Sequence, residues 1–432
     1  MRADSTASGT PGSAATAANG SWPEDAVLTR PTLRAPRHRG PPGPHRSAGQ
    51  DTERPEAVAP ITVRLDADTH RNGGSLSKTI VTPEKTGGGS DAATGRTAPV
   101  KIAFVGKGGS GKTTLSSLFV RHLGAAQLPV LAVDADINQH LAVALGFSEE
   151  KAAAIPPLGG NLGLIKDYLR GTNPRIGSAD EMVKTTPPGR GSRLLRLDED
   201  NPVYDACRRP VGSCCSGMRI MATGPFQEGD LGVACYHSKV GAVELLLNHL
   251  VDDRDEYIVV DMTAGSDAFA SGLFTRFDMT FLVAEPTRKG VSVYRQYRDY
   301  ARDWGVALAV VGNKVQGPDD LAFLREHVGA DLLTWVGQSE FVREVEKGRT
   351  PDFAALEPDN TAALERMREA VDATFANRDW ARYTEQMVEF HVKNAHSWAN
   401  ARAGVDLTAQ VDPEFVLGPA ALEAEGAATP RG

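Results

Sequence analysis

The chain has 432 residues, with 55 acidic against 47 basic side chains and a formal net charge of −8, which excludes a globally basic nucleic-acid binder and leaves nucleic acid an unlikely partner. No stretch approaches the roughly 18 consecutive apolar residues that span a bilayer, and the N-terminus lacks a charged segment followed by an apolar one, so a cytoplasmic protein is expected. The four cysteines all fall between Cys207 and Cys235, which in a reducing compartment reads as a metal or redox site rather than a disulfide framework.

Residues 1–97 are rich in Ala, Gly, Pro, Ser, Thr and Arg and hold too little apolar area to offset the entropy of ordering, so a disordered leader is expected there. Within it, 61–65 has a strand-like pattern, but an isolated strand has nothing to pair with. From Val100 onward short apolar runs alternate with amphipathic segments. That rhythm predicts an α/β fold: a mostly parallel, twisted sheet with helices on both faces. Strands are expected over 102–105, 129–133, 219–222, 257–260, 280–284, 307–311 and 331–336. Helices fit 115–123, 242–250, 291–304 and 321–327, and ligands of such folds bind at the C-terminal strand ends.

This pattern marks one domain over 98–350. Between about 150 and 218 the rhythm weakens around Pro187, Pro188 and Gly189, predicting an insertion or a mobile flap. A helical extension is expected over 351–404, with apolar residues at helical spacing in 361–375 and 380–399. Its aromatic side chains, Trp380, Tyr383, Phe390 and Trp398, are read as packing on the domain or binding a partner. A loose, Pro- and Gly-containing tail is expected over 405–432, with no basic amphipathic helix to anchor a membrane.

The first strand runs into Gly106, Lys107, Gly108, Gly109, Ser110, Gly111, Lys112, Thr113 and Thr114. The G-x-x-x-x-G-K-[ST] pattern between a strand and a helix is a phosphate-binding loop. Its glycines let backbone N–H groups curl round an anion, the helix N-terminus adds its positive end, and Lys112 brings charge to the outer phosphates. Thr113 then holds Mg²⁺ through its hydroxyl. The second strand delivers Asp134 and Asp136, a pair that alone reads equally well as a helix cap. The strand over 257–260 ends in Asp261, the form of an Mg²⁺-binding acid.

Lys107 is not required of an ordinary phosphate loop. With it the segment resembles the K-G-G-x-G-K-T-T signature of the MinD/ParA superfamily of dimeric P-loop ATPases. That resemblance implies ATP and Mg²⁺ as ligands, ATP hydrolysis, and an ATP-dependent homodimer in which Lys107 reaches the phosphates held by the other subunit. It also implies that Asp136 activates the attacking water and that Asp134 orders the Mg²⁺ shell. It further implies that Gly265 offers its N–H to the γ-phosphate, that Asn313 bonds the adenine edge and that Pro286 bounds the base pocket.

Residues 106–114, 133–141, 221–250 and 260–314 further resemble the nickel-insertion accessory ATPases of carbon monoxide dehydrogenase. That branch implies a metalloenzyme client and a Cys-x-Cys metal site at the dimer interface. Here the corresponding residues are Val233, Ala234 and Cys235, so the first cysteine is missing. Cys207, Cys214, Cys215, Cys235 and His237 include ligands that suit Zn²⁺, Ni²⁺ or an iron–sulfur cluster, although their spacing matches no strong zinc pattern. A localisation, partition or regulatory ATPase with no metal role is the alternative reading.

Overall fold

The computed structural model describes residues 100–197, 199–212, 217–225, 236–251, 256–263, 272–375, 378–418 and 420–421. The expected leader, the strand-like 61–65, Cys214, Cys215, Cys235, Gly265 and the break near Asn377 lie outside these residues, as does the end of the tail from 422.

Eight strands form one sheet among the described residues: β1 (Val100–Gly106), β2 (Val130–Ala135), β3 (Arg209–Pro210), β4 (Met218–Ala222), β5 (Tyr257–Met262), β6 (Met279–Ala284), β7 (Leu308–Val315) and β8 (Leu332–Gly337). Their order is β3-β4-β2-β5-β1-β6-β7-β8. All pairings are parallel except β3 with β4. The chain moves outward from β1 in opposite directions, so the strand ends around β1 form the crevice where such sheets bind ligands.

Each strand's alternating side chains feed one of two cores. Ala103 and Val105 of β1 face one side, with Ile258 and Val260 of β5. Ile102 and Phe104 face the other, with Phe281 of β6. Twelve α-helical segments are described: α1 (Lys112–Ala125), α2 (Leu141–Ala144), α3 (Glu149–Ala153), α4 (Leu162–Arg170), α5 (Pro202–Cys207), α6 (Tyr236–His249), α7 (Tyr294–Trp304), α8 (Pro318–Val328), α9 (Glu340–Glu346), α10 (Pro358–Phe375), α11 (Trp380–Asn394) and α12 (Asn400–Ala403). Helix α1 buries Leu115, Leu118, Phe119 and Leu123, an i, i+3, i+4 stripe. Phe119 meets Phe104 and Phe281 with ring centroids 5.9 and 6.0 Å away. Helix α7 ends at Gly305, whose φ of 63° closes the last turn.

The seven expected strands are present, most of them a residue or two longer; β3 was not anticipated, being only two residues long. Two expectations are corrected. Residues 150–212 are not a mobile flap: Leu158, Ile165, Leu169, Met182, Val203 and Tyr204 are buried in the same core as α6. Their apolar positions are split among short helices and turns, which hides the periodicity. The loose tail is also overturned as far as it is described, since Leu407 and Leu417 are fully buried. Asp412 accepts from Arg190 Nε at 2.8 Å and Nη2 at 3.0 Å, joining this segment to the insertion. A few well-spaced anchors suffice here, where composition suggested none.

The helical extension packs on the domain. Helix α10 buries Ala363, Leu364, Met367 and Val371 in the core beneath α1. In α11, Tyr383 lies over the base of the sheet, where Lys101 Nζ donates to its hydroxyl at 2.9 Å. Trp398 remains 39% exposed. Among the described residues, no helix is long and apolar enough to cross a membrane.

Candidate active site

The loop between β1 and α1 is shaped by its own backbone and by two residues of β7. Ser110 N–H donates to Lys107 O at 3.1 Å, and Leu115 N–H to Gly111 O at 2.9 Å, so the helix begins inside the motif. Gly111 has φ 91°, a backbone conformation that favours glycine, and a Cβ there would displace the Asn313 amide from the loop. Asn313 and Lys314 sit at a bulge in β7, and Lys314 takes φ 59°. The bulge turns both side chains onto the loop. Asn313 Nδ2 donates to Ser110 O at 2.8 Å, and Lys314 Nζ to Gly109 O at 3.0 Å. Lys314 also pairs with Glu285, the residue before Pro286.

One amide N–H of Asn313 thus braces the phosphate loop, and its bond to an adenine edge stays a proposal. Pro286 follows β6 beside the same loop, and Lys314 and Glu285 were missed by sequence reasoning. The only signal for Lys314 was its place next to Asn313 at a strand end.

Lys112 and Lys107 differ sharply in setting. Lys112, the first residue of α1, is 6% exposed and acts electrostatically on Asp261. Lys107 is partly buried at the loop and has no side-chain hydrogen bond or ion pair among the described residues.

The acids meet at adjacent strand ends, where Asp134 of β2 stands in register with Asp261 of β5. Thr113 Oγ1 donates to Asp261 Oδ2 at 2.6 Å, closing the gap between the loop and β5. The other oxygen, Asp261 Oδ1, is buried without a hydrogen-bond partner among the described residues. Asp134 accepts from Leu141 N–H at 2.9 Å and Asp136 N–H at 3.2 Å. Asp136 Oδ1 accepts from the backbone and side-chain nitrogens of Asn138 at 2.9 and 3.0 Å, fixing the turn.

Burial pushes the Asp134 carboxyl up to about 7, partly opposed by its two backbone donors. Burial raises Asp261 well above the usual carboxylate range, Asp134 adds to this, and Thr113 and Lys112 oppose it. An unpartnered, desolvated carboxylate oxygen beside a threonine hydroxyl is a hard-oxygen donor set that suits Mg²⁺. Among the described residues no group of three or more His, Cys, Asp or Glu side chains could hold a metal ion. Mg²⁺ does not need such a cage, because it keeps waters and takes one or two carboxylates plus substrate phosphates.

The pair carries a stability cost that depends on pH. An unfolded aspartate ionises near pH 4, whereas folded Asp134 holds its proton to about 7, so the folded chain binds more protons across that window. The contribution to stability is full below about pH 4 and is lost as pH rises through about 7. We expect Asp261→Asn to raise the thermal midpoint of the metal-free protein at pH 8 by a few degrees, from about 1–2 kcal/mol, and to remove the stabilisation that Mg²⁺ gives the wild type. Thermal scans at pH 5 and pH 8, with and without Mg²⁺, check this; an unchanged midpoint at pH 8 would contradict a destabilising charge on buried Asp261.

Residues 102–397 match the CobQ/CobB/MinD/ParA nucleotide binding domain. The chain belongs to this family. The MinD/ParA nucleotide-binding family that the motif order anticipated is therefore shown, and the matched region runs through α10 and α11. An uncharacterised ATP-binding protein of Methanocaldococcus jannaschii is 30% identical over 247 residues, 56% of this chain and 87% of that protein. The carbon monoxide dehydrogenase accessory protein CooC of Rhodospirillum rubrum is 28% identical over 243 residues, 56% of this chain and 84% of CooC. Among solved structures, a ParA family ATPase of Chlorobium tepidum aligns with TM-score 0.41 and 13% identity, covering 67% of this chain and 98% of that one.

Proposed function

We propose that this MinD/ParA-family protein is an ATP-hydrolysing switch that works as a homodimer. The observation that carries the reading is the Thr113–Asp261 bond, which brings the phosphate loop against an acid whose second oxygen is buried without a partner among the described residues. Thr113 and Asp261 would hold Mg²⁺, with Asp134 shaping its surroundings. Bound there, Mg²⁺ supplies charge neutralisation of the phosphate oxygens.

In this reading the loop N–H groups and Lys112 bind and orient the triphosphate. Asp136 lies at the end of β2 and uses Oδ1 to hold its own turn. Its role is to orient a water through the remaining oxygen, drawing on that water's proton as the water oxygen attacks the γ-phosphorus. The bond to the bridging oxygen breaks and ADP leaves. Asn313 and Lys314 keep the loop in its anion-binding shape, with Pro286 beside the base. Gly265 keeps its assignment to the γ-phosphate as a proposal that lies outside the described residues.

The similarity to CooC supports maturation of a metal-containing client as the process that hydrolysis drives. Nickel or zinc binding by this chain is not part of the proposal, since its one positional candidate, Cys235, lies outside the described residues. The test of the ATPase reading is Asp136→Ala. Binding of a slowly hydrolysed ATP analogue should stay within about threefold of wild type, while kcat falls by about 10²–10³-fold. Equal loss of binding and turnover would assign Asp136 to ground-state binding instead.

A further inference from the structure

Gln139 is three residues beyond Asp136 and holds a backbone conformation, φ 53°, that side-chain-bearing residues seldom adopt. Its side chain is spent on fixed neighbours. Nε2 donates to Asp136 O at 2.6 Å and to Thr223 Oγ1 at 3.1 Å, while Oε1 accepts from Gly224 N–H at 3.3 Å. Thr223 in turn donates from its N–H and its hydroxyl to Asp134 O, at 2.9 and 3.1 Å.

The end of β4 is held on its other side as well. Gly159 N–H donates to Thr223 O at 3.1 Å, and a Cβ on Gly224 would fall 2.4 Å from Pro157. One side of Gln139 therefore meets the hydrogen-bonded end of β4, and the other meets the backbone of Asp136. Asp136 has no strand pairing of its own, because β2 ends at Ala135. Asn138 and the Gln139 backbone N–H bond Asp136 from within its own turn, and Asp136 N–H donates to Asp134 Oδ1 at 3.2 Å, whereas the Gln139 side chain ties the turn across to the end of β4.

We propose that Gln139 is a positioning residue for Asp136: it anchors the acid's backbone to the end of β4 and so fixes where the carboxylate points during hydrolysis. The strained conformation at Gln139 fits that use, since strain at one residue persists when surrounding contacts over-determine it. This inference rests on the reading of Asp136 as the water-orienting acid. It goes beyond that reading in naming a residue that touches neither phosphate nor water.

The test measures kcat, analogue affinity and thermal midpoint for Gln139→Gly, Gln139→Glu and Asp136→Ala in the full chain. Gln139→Gly removes the side chain and relieves the backbone strain. Gln139→Glu keeps the length and the acceptor for Gly224 but turns an oxygen toward the Asp136 carbonyl. Both variants should lose at least tenfold in kcat with analogue affinity within about twofold, and the glycine variant should keep or raise the thermal midpoint. A merely structural residue would instead lower the midpoint and leave kcat per folded molecule unchanged. Wild-type kcat in Gln139→Gly or in Gln139→Glu, with Asp136→Ala inactive, would overturn the role of Gln139 alone. Wild-type kcat in Asp136→Ala would overturn the reading on which it rests.

Discussion

Lys112→Ala should reduce ATP turnover by about a thousandfold, comparable with removing a preorganised charge stabiliser from other active sites. Two losses combine. The first is the cation that would meet the outer phosphates, carried by the first residue of α1, which is 6% exposed. The second falls on the acids. Asp261 is opposed in its ionisation by burial, Asp134 and Asp136, and helped by the Thr113 hydroxyl and by Lys112. Removing Lys112 leaves three carboxyls at neighbouring strand ends with one fewer compensating charge, so the ionised form of Asp261 that would take Mg²⁺ is harder to reach. The variant should thus need more Mg²⁺ as well as turn over slowly, and the Mg²⁺ requirement should ease as pH rises. Turnover and Mg²⁺ titrations at pH 6.5 and 8 read both effects; turnover within tenfold of wild type would remove this loop from the active site.

The parts of the fold that could be read from sequence are those governed by local rules. Buried parallel strands read as apolar runs, and the glycine and lysine spacing of the phosphate loop follows from backbone geometry around an anion. Asp261 was legible because a strand of four apolar residues ended in an acid. The remainder depends on long-range contacts that leave no periodic trace. Nothing local indicates that Asn313 donates to a carbonyl 203 positions earlier, or that Gln139 grips residues 84 and 85 positions later. The segment beyond Val405 misled for the opposite reason: its Pro and Gly content set the expectation, while Leu407 and Leu417 set the outcome. The weak rhythm over 150–218 concealed packing in the same way, since short helices show too few turns for a stripe to stand out.

Lys107→Ala should leave ATP binding nearly intact while lowering turnover by about 10²–10³-fold and abolishing ATP-induced dimerisation. The argument begins from the contrast between the two lysines. Lys112 is buried at the first residue of α1, where it would meet the loop's own phosphates, whereas Lys107 is only partly buried, with no side-chain partner among the described residues. Only its carbonyl is used, accepting from Ser110 N–H at 3.1 Å to close the turn, and alanine preserves that bond. The side chain is therefore available to a second copy, and across a two-fold axis each subunit would give and receive one lysine. Ile137, next to Asp136, is 39% exposed and offers apolar area at the same end of the molecule. A cation entering from a partner stabilises charge on the transferred phosphoryl group, an effect worth about 10³–10⁵-fold for supplied arginines; a flexible lysine, lacking the planar fork, should give less. Sedimentation with a slowly hydrolysed analogue should show wild-type dimers and variant monomers, and wild-type turnover per molecule should rise with protein concentration. Wild-type protein that hydrolyses ATP as a monomer, at a rate independent of its own concentration, would sink the dimer and leave Lys107 a solvated loop residue.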